Sequence, residues 1–183
     1  GLTSSAYAVD TAAPTSSWTS ISDNSLIEGE TSTLIMVLSE ANSGFTNADV
    51  TCANGAVAAL SVAGDGVTYT GVFTPTAETT AASNTCVIGT DWTDTAGNSG
   101  VGSTSPSYAV DTAAPTSSWT SISDTTLAEG ETATLIMVLS EANSGFTNDD
   151  VVCANGAVAA LSVANDGVTY TGVFTPTAET TAA

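Results

Sequence analysis

One segment of this chain occurs twice. Tyr7-Ala8-Val9-Asp10-Thr11-Ala12-Ala13-Pro14 returns as Tyr108-Ala109-Val110-Asp111-Thr112-Ala113-Ala114-Pro115, a period of 101 residues. Between Thr3–Ala82 and Thr104–Ala183, nine of 80 aligned positions differ. A repeat of this length is domain-sized, so each copy must bury a core of its own. The chain therefore reads as a tandem array. Residues 1–9 are expected to be the tail end of a preceding repeat, carrying its last strand; 10–110 are a first repeat; 111–183 are a second repeat, truncated before its final strands. Copies that have barely diverged suit a spacer, whose value lies in number and length.

The charge is one-sided. Lys, Arg and His are absent, against 19 Asp plus Glu, giving a formal net charge of −19. No side chain can form a salt bridge, so each carboxylate must stay hydrated, accept N–H hydrogen bonds or bind a metal ion. A field of this sign repels nucleic acid and anionic membrane and leaves divalent cations as the natural counter-charge. It also argues against catalysis. There is no imidazole base near neutrality, no Schiff-base lysine and no guanidinium to stabilise an oxyanion. Glu28 and Glu30 are paired carboxylates, but they sit two apart in an expected loop with no cleft around them. With 42% hydrophobic residues the chain can still build a core, unlike an acidic disordered tail. The longest obvious apolar run, Leu34-Ile35-Met36-Val37-Leu38, is far too short to insert in a membrane.

Within one repeat the patterning is that of strands. Ser16–Ile21 follows Pro14, and Ser22 to Glu30 reads as a loop. Thr33–Leu38 is a buried central strand, too short for an ordinary helix. Asp49–Ala53 is closed by Asn54-Gly55, a favoured hairpin turn. Ala56–Ala63, the turn Gly64-Asp65-Gly66 and Val67–Phe73 follow, with Val67, Tyr69, Gly71 and Phe73 on one face and Pro75 ending the strand. Cys86–Gly89 and Ser107–Val110 finish the unit. About seven short antiparallel strands with near-regular turns predict an all-β fold, a β-sandwich in each repeat.

Three cysteines become an even number per repeat once the period is applied. Cys52 and Cys86 share a repeat, whereas Cys153 is the copy of Cys52. A Cys52–Cys86 disulfide is expected, as suits an exported protein; two buried free thiols are the alternative. Asp65 and Asp166, inside glycine-bearing or turn-like segments, are explained by backbone geometry.

Six pieces in order carry a resemblance: Val9-Asp10-Thr11-Ala12-Ala13-Pro14, Glu28-Gly29-Glu30-Thr31, Leu38-Ser39-Glu40-Ala41, Phe45-Thr46-Asn47-Ala48-Asp49-Val50, Phe73-Thr74-Pro75-Thr76 and Asp94-Thr95-Ala96-Gly97-Asn98. Together they resemble the bacterial Ig-like tandem repeats in the extender regions of giant secreted surface adhesins of the RTX and biofilm types. The cysteines depart from the common pattern of that class. The resemblance implies an extracellular, cell-surface protein in which stiff repeats hold a distal binding domain away from the cell, with calcium at the joints between neighbouring repeats. In such a sandwich the start of the first strand, the loop after the second and the loop before the last share one pole, which places Asp10, Glu40, Asp91, Asp94 and Asn98 together as candidate calcium ligands. Asp111 and Glu141 are their counterparts in the second repeat, expected to face Glu28 and Glu30 of the first. The same acids could instead be solvated loop residues. Two other readings remain: a carbohydrate-binding accessory module using Trp18, Trp92 or Trp119, and an extracellular filament subunit self-associating by strand exchange through open edges.

Overall fold

The computed structural model describes residues 1–178; residues 179–183, the end of the expected second repeat, lie outside them. The chain divides into two compact units, Gly1–Ala113 and Ala114–Ala183.

The first unit is built from β1 (Ser16–Ile21), β2 (Ser25–Ile27), β3 (Ser32–Leu38), β4 (Asn42–Ser43), a single 3-10 turn at Asn47–Asp49, β5 (Val50–Cys52), β6 (Gly55–Val62), β7 (Thr68–Pro75), β8 (Thr80–Asn84), β9 (Cys86–Ile88), β10 (Thr93–Asp94), β11 (Ser103–Thr104) and β12 (Tyr108–Asp111). One layer is a four-stranded antiparallel sheet in the order β1-β3-β7-β6. The other holds two three-stranded sheets, β11-β9-β5 and β2-β12-β8, with a short β10-β4 pair beside them. Period-two alternation forms the core, since Ser32, Leu34, Met36 and Leu38 are buried while Thr33 is exposed. Tyr69 and Phe73 face inward from the next strand, as the pattern predicts. They meet Cys52, Cys86, Ile88, Tyr108 and Val110 from the opposite layer in one cluster. The Phe73 and Tyr108 rings pack edge to face with centroids 4.9 Å apart. Gly71 makes room for side chains of the neighbouring strand β6: a Cβ there would sit 2.9 Å from Val57 Cγ1.

The structure corrects several local expectations. Asn54-Gly55 is not a hairpin turn, because β5 pairs with β9 and β6 with β7. Asn54, at φ 52°, instead carries the chain from one layer to the other. Its left-handed conformation suits asparagine. The stretch read as one loop from Ser22 to Glu30 contains β2, which pairs in parallel with β12. Gly1–Val9 carries no strand and is exposed throughout, although Tyr7–Asp10 is identical to β12. β12 is held between β2 and β8, whereas Tyr7–Asp10 is paired with no strand.

Among the described residues, the second unit repeats the first layer. Its strands β13 (Ser117–Ile122), β14 (Ala133–Leu139), β15 (Gly156–Val163) and β16 (Thr169–Pro176) pair in the order β13-β14-β16-β15, register for register with the first unit. The counterparts of β2 and β5, residues 126–128 and 151–153, are not strands. The partners those strands have in the first unit, β12 and β9, have no counterpart among the described residues. Trp119 is consequently 59% exposed, whereas Trp18 packs half-buried against the first core.

Candidate metal centre

Asp10, Glu40 and Asp94 converge at one pole of the first unit. β1 enters there through Pro14, which is buried, and Thr15, whose N–H donates to Ser39 Oγ at 2.9 Å and whose carbonyl accepts from Ser39 N at 2.9 Å. That exchange sets Glu40, the next residue, beside the incoming chain. Asp94 pairs with Asn42 in the β10–β4 ladder, which brings the Asp94–Asn98 turn to the same end. The turn closes on itself: Asn98 N donates to Asp94 Oδ1 at 2.8 Å, Asn98 Nδ2 to Asp94 Oδ2 at 2.7 Å, and the same Nδ2 to the Asp10 carbonyl at 3.3 Å. Gly97, at φ 95°, makes that reversal possible. Beneath it Trp92 is 1% exposed, donates its indole N–H to the Gly89 carbonyl at 3.0 Å and packs edge-on against Phe45. Gly100 must lack a side chain, since its Cβ would fall 2.2 Å from the Trp92 ring.

One carboxylate oxygen from each of Asp10, Glu40 and Asp94 lies within 4.8 Å of the other two. Two oxygens on opposite sides of a calcium ion, each about 2.3–2.6 Å from it, are separated by about that distance, and oxygen is the ligand a hard divalent cation takes. Without a cation, each pair of charges at such separation repels by roughly 1 kcal/mol even at the dielectric of water. Asp94 is buried, Glu40 half-buried and Asp10 exposed. Burial is the largest single influence on the Asp94 carboxyl and raises its pKa. The hydrogen bonds from the Asn98 side chain and from the amides of Asn98, Gly97 and Ala96 together outweigh it and hold the group below the usual carboxylate range. Asp94 is thus kept as an anion.

Of the other candidates, Asn98 touches the cluster and the first repeat's remaining acids lie apart from it. Asp91 is exposed, because the burial of Trp92 next to it fixes which way the segment faces. Asn98 serves the cluster as a donor. Glu28, Glu30 and Asp111 lie at the opposite end of the same unit, where Asp111 is in register with Ile27. Glu30 Oε2 accepts Ile27 N at 3.0 Å, and Glu131 makes the same bond to Ala128 N in the second unit. Both are local turn caps. Asp111 Oδ1 accepts from Thr80 Oγ1 at 2.8 Å. Glu141, half-buried, occupies in the second unit the place after β14 that Glu40 holds after β3.

Several acids needed no metal to explain them. Asp65 accepts from Val67 N, Thr68 N and Thr68 Oγ1, and Asp166 makes the identical set; in each the threonine hydroxyl is the main cause of a lowered pKa. Asp49, which sequence reasoning passed over, closes a capping box with Thr46 N at 2.8 Å and Thr46 Oγ1 at 3.0 Å; the Thr-x-x-Asp spacing was its signal. Among the described residues no buried side-chain nitrogen or oxygen lacks a partner.

The cysteines of the first repeat are joined. Cys52 and Cys86 face each other directly across β5 and β9 and form a disulfide, while Cys153 is free and half-exposed. Trp92 is buried and cannot stack on a sugar. Trp18 is half-buried, with its indole N–H directed to the Ser103 carbonyl at 3.4 Å.

These groups fix the pH response. Asp65, Asp94 and Asp166 have depressed folded-state pKa values, so their stabilisation is present above the ordinary carboxylate value of 3.8 and is lost as pH falls through the folded values. Burial pushes the Tyr108 hydroxyl, which donates to the Ala53 carbonyl, up to about 12. Its contribution is full below pH 10 and is lost as pH rises towards 12. With no histidine between these limits, the melting temperature will be level from roughly pH 5.5 to 8. It will fall below about 4 and above about 10. A fluorescence-detected melting series in chelator checks this, and a titration midpoint between pH 6 and 7 would contradict it.

A family profile described as bacterial Ig-like domain matches residues 10–110 and, separately, residues 111–183. No curated protein matches the chain.

Proposed function

The chain belongs to the bacterial Ig-like domain family, and from that premise we propose that it is part of the extender region of a cell-surface adhesin, a run of repeats that holds a distal binding domain away from the cell. The observation that carries the reading is the pair of nearly identical family-matching copies in direct succession. Domains of this family are typically non-catalytic structural modules of surface proteins. No helix among the described residues is long and apolar enough to cross a membrane.

Calcium supplies the rigidity in this proposal. Asp10, Glu40 and Asp94 would hold the ion at the pole where the linker enters a repeat, with Asn98 fixing Asp94 and the Asp10 main chain. When bound, the ion neutralises carboxylates that repel one another when bare. Because Asp10 belongs to the linker and Glu40 and Asp94 to the sandwich, the ion also ties the incoming chain to the domain.

Calcium is expected to raise the melting temperature with concentration above its dissociation constant, as any ligand selective for the folded state does. Solution scattering should show a longer maximum dimension in millimolar calcium than in chelator. Glu40→Gln gives a change of sign: in chelator it should melt a few degrees higher, having lost roughly 1–2 kcal/mol of repulsion, while most of the calcium increment disappears. Identical dimensions and melting temperatures with and without calcium would sink the metal part of the proposal. Strong calcium-dependent binding to a glycan array would replace the spacer with the carbohydrate-binding reading.

A further inference from the structure

The outer face of the four-stranded sheet carries no charge, in a chain whose formal net charge is −19. None of the strands β1, β3, β6 and β7 contains an acid, and neither do β13, β14, β15 and β16 in the second unit. Every described carboxylate lies in a loop, in a 3-10 turn or in the other layer. The solvated face of an antiparallel sheet ordinarily carries polar and charged side chains. Here Thr33, Ile35 and Val37 alternate with the core residues of β3 and lie in register with Val72, Thr70 and Thr68 of β7. β6 adds Ala58 and Ser61, in register with Val72 and Thr70. The face is a lattice of methyl groups and hydroxyls in which Val72 is 37% exposed. The second unit repeats it residue for residue, with Thr134, Ile136 and Val138 opposite Val173, Thr171 and Thr169.

Chemistry and size select the partner. The face carries no aromatic side chain for a sugar to stack on, because Trp18, Tyr69 and Phe73 of these strands pack into the core. A cationic partner would be drawn to the acids in the loops instead. A second copy meets its own chemistry: methyl groups pack on methyl groups, each hydroxyl can both donate and accept, and sheets stack face to face at about 10 Å. The contact also lets two strongly acidic chains meet without bringing carboxylates together. Four strands about 4.8 Å apart and about seven residues long make a patch of about 440 Å². Pairing two such patches buries about 900 Å², short of the roughly 1,200–2,000 Å² of a stable interface. A single repeat will therefore pair weakly, and each added repeat brings another copy of the face and strengthens association through multivalency.

We infer that the outer face of the β1-β3-β7-β6 sheet, with its copy in the second unit, is a lateral self-association surface whose partner is a second copy of this chain. This goes beyond the extender reading, because it gives neighbouring arrays a means of holding one another.

The test is sedimentation velocity of the whole chain over a range of concentrations. Chelator is present so that no metal ion bridges carboxylates, and Cys153→Ser is the background so that no intermolecular disulfide forms. The average mass should rise with concentration and rise further in added salt, because screening removes the repulsion between acidic surfaces and leaves the apolar contacts in place. Val72→Glu with Val173→Glu should weaken association by roughly tenfold or more, since pairing would bury unpaired charges. Ser61→Glu with Ser162→Glu, at exposed positions of the same face, should do likewise and remains informative if the valine variant does not fold. Val87→Glu, in the other layer where the valine is 44% exposed, should leave association unchanged. The inference is overturned if the chain stays monomeric at every concentration in high salt, if the folded face variants associate like the unsubstituted chain, or if Val87→Glu weakens association as much as they do. A monomeric chain that instead binds an insoluble uncharged polysaccharide, and loses that binding in the valine variant, would assign the face to that partner and overturn the pairing too. Lateral pairing leaves the length added per repeat unchanged, so the extender reading stands or falls separately.

Discussion

Replacing Cys52 and Cys86 together with alanine will lower the melting temperature of the first unit by roughly 15–25 °C. The bond spans a sequence separation of 34 and closes a loop whose freedom in the unfolded chain is worth roughly 3–4 kcal/mol. Both residues lie in the core, with Cys86 0% and Cys52 7% exposed, so the lost sulfur atoms also leave a void. No ion pair can compensate in a chain without basic residues. Calorimetry of the full chain in oxidising buffer measures the effect. The second unit, whose Cys153 is unpaired, is the internal reference and its transition should not move. A shift of less than about 5 °C in the first transition would mean that the denatured chain is already compact around these residues, and that the disulfide does little for stability.

The same dependence on partners explains what could and could not be read from the sequence. The alternation of Leu34, Met36 and Leu38, and the shared face of Tyr69, Gly71 and Phe73, were legible because the four-stranded layer is made from a compact stretch of chain with strong patterning. That layer forms in both units. β2 and β8 were not legible, since Ser25–Ile27 and Thr80–Asn84 are short, carry few apolar residues and owe their extended form to β12 lying between them. Tyr7–Asp10 and Tyr108–Asp111 make the point most directly: one sequence, a strand in one place and none in the other. Strand propensity reports fit to a surface supplied from elsewhere in the chain.

The acidic pole follows similar logic. Sequence alone offered Asp91 and Asp94 as equal candidates three residues apart. Only the burial of Trp92 and the pairing of Asp94 with Asn42 separate them, and both depend on tertiary contacts. Glu30, offered by the sequence as a ligand, has a local bond to Ile27 N that Glu131 repeats at Ala128 N, a contact the sequence did not signal. The capping role of Asp49 was readable from spacing to Thr46, since it needs nothing beyond four consecutive residues.

The proposal that repeat number is the function of this chain leads to the second large effect, in length. Chains of two, four and eight complete 101-residue repeats, measured by solution scattering in millimolar calcium, should grow in maximum dimension by about 40 Å for each added repeat, the span of strands of roughly 8–10 residues with their end loops. The linker between Asp111 and Pro115 leaves little free chain for bending, and proline restricts it further. This is the most direct test of the account. Linear growth at about that increment is the predicted result. Growth with the square root of repeat number, as for freely jointed beads, or with its cube root, as for a collapsed cluster, would contradict the extender.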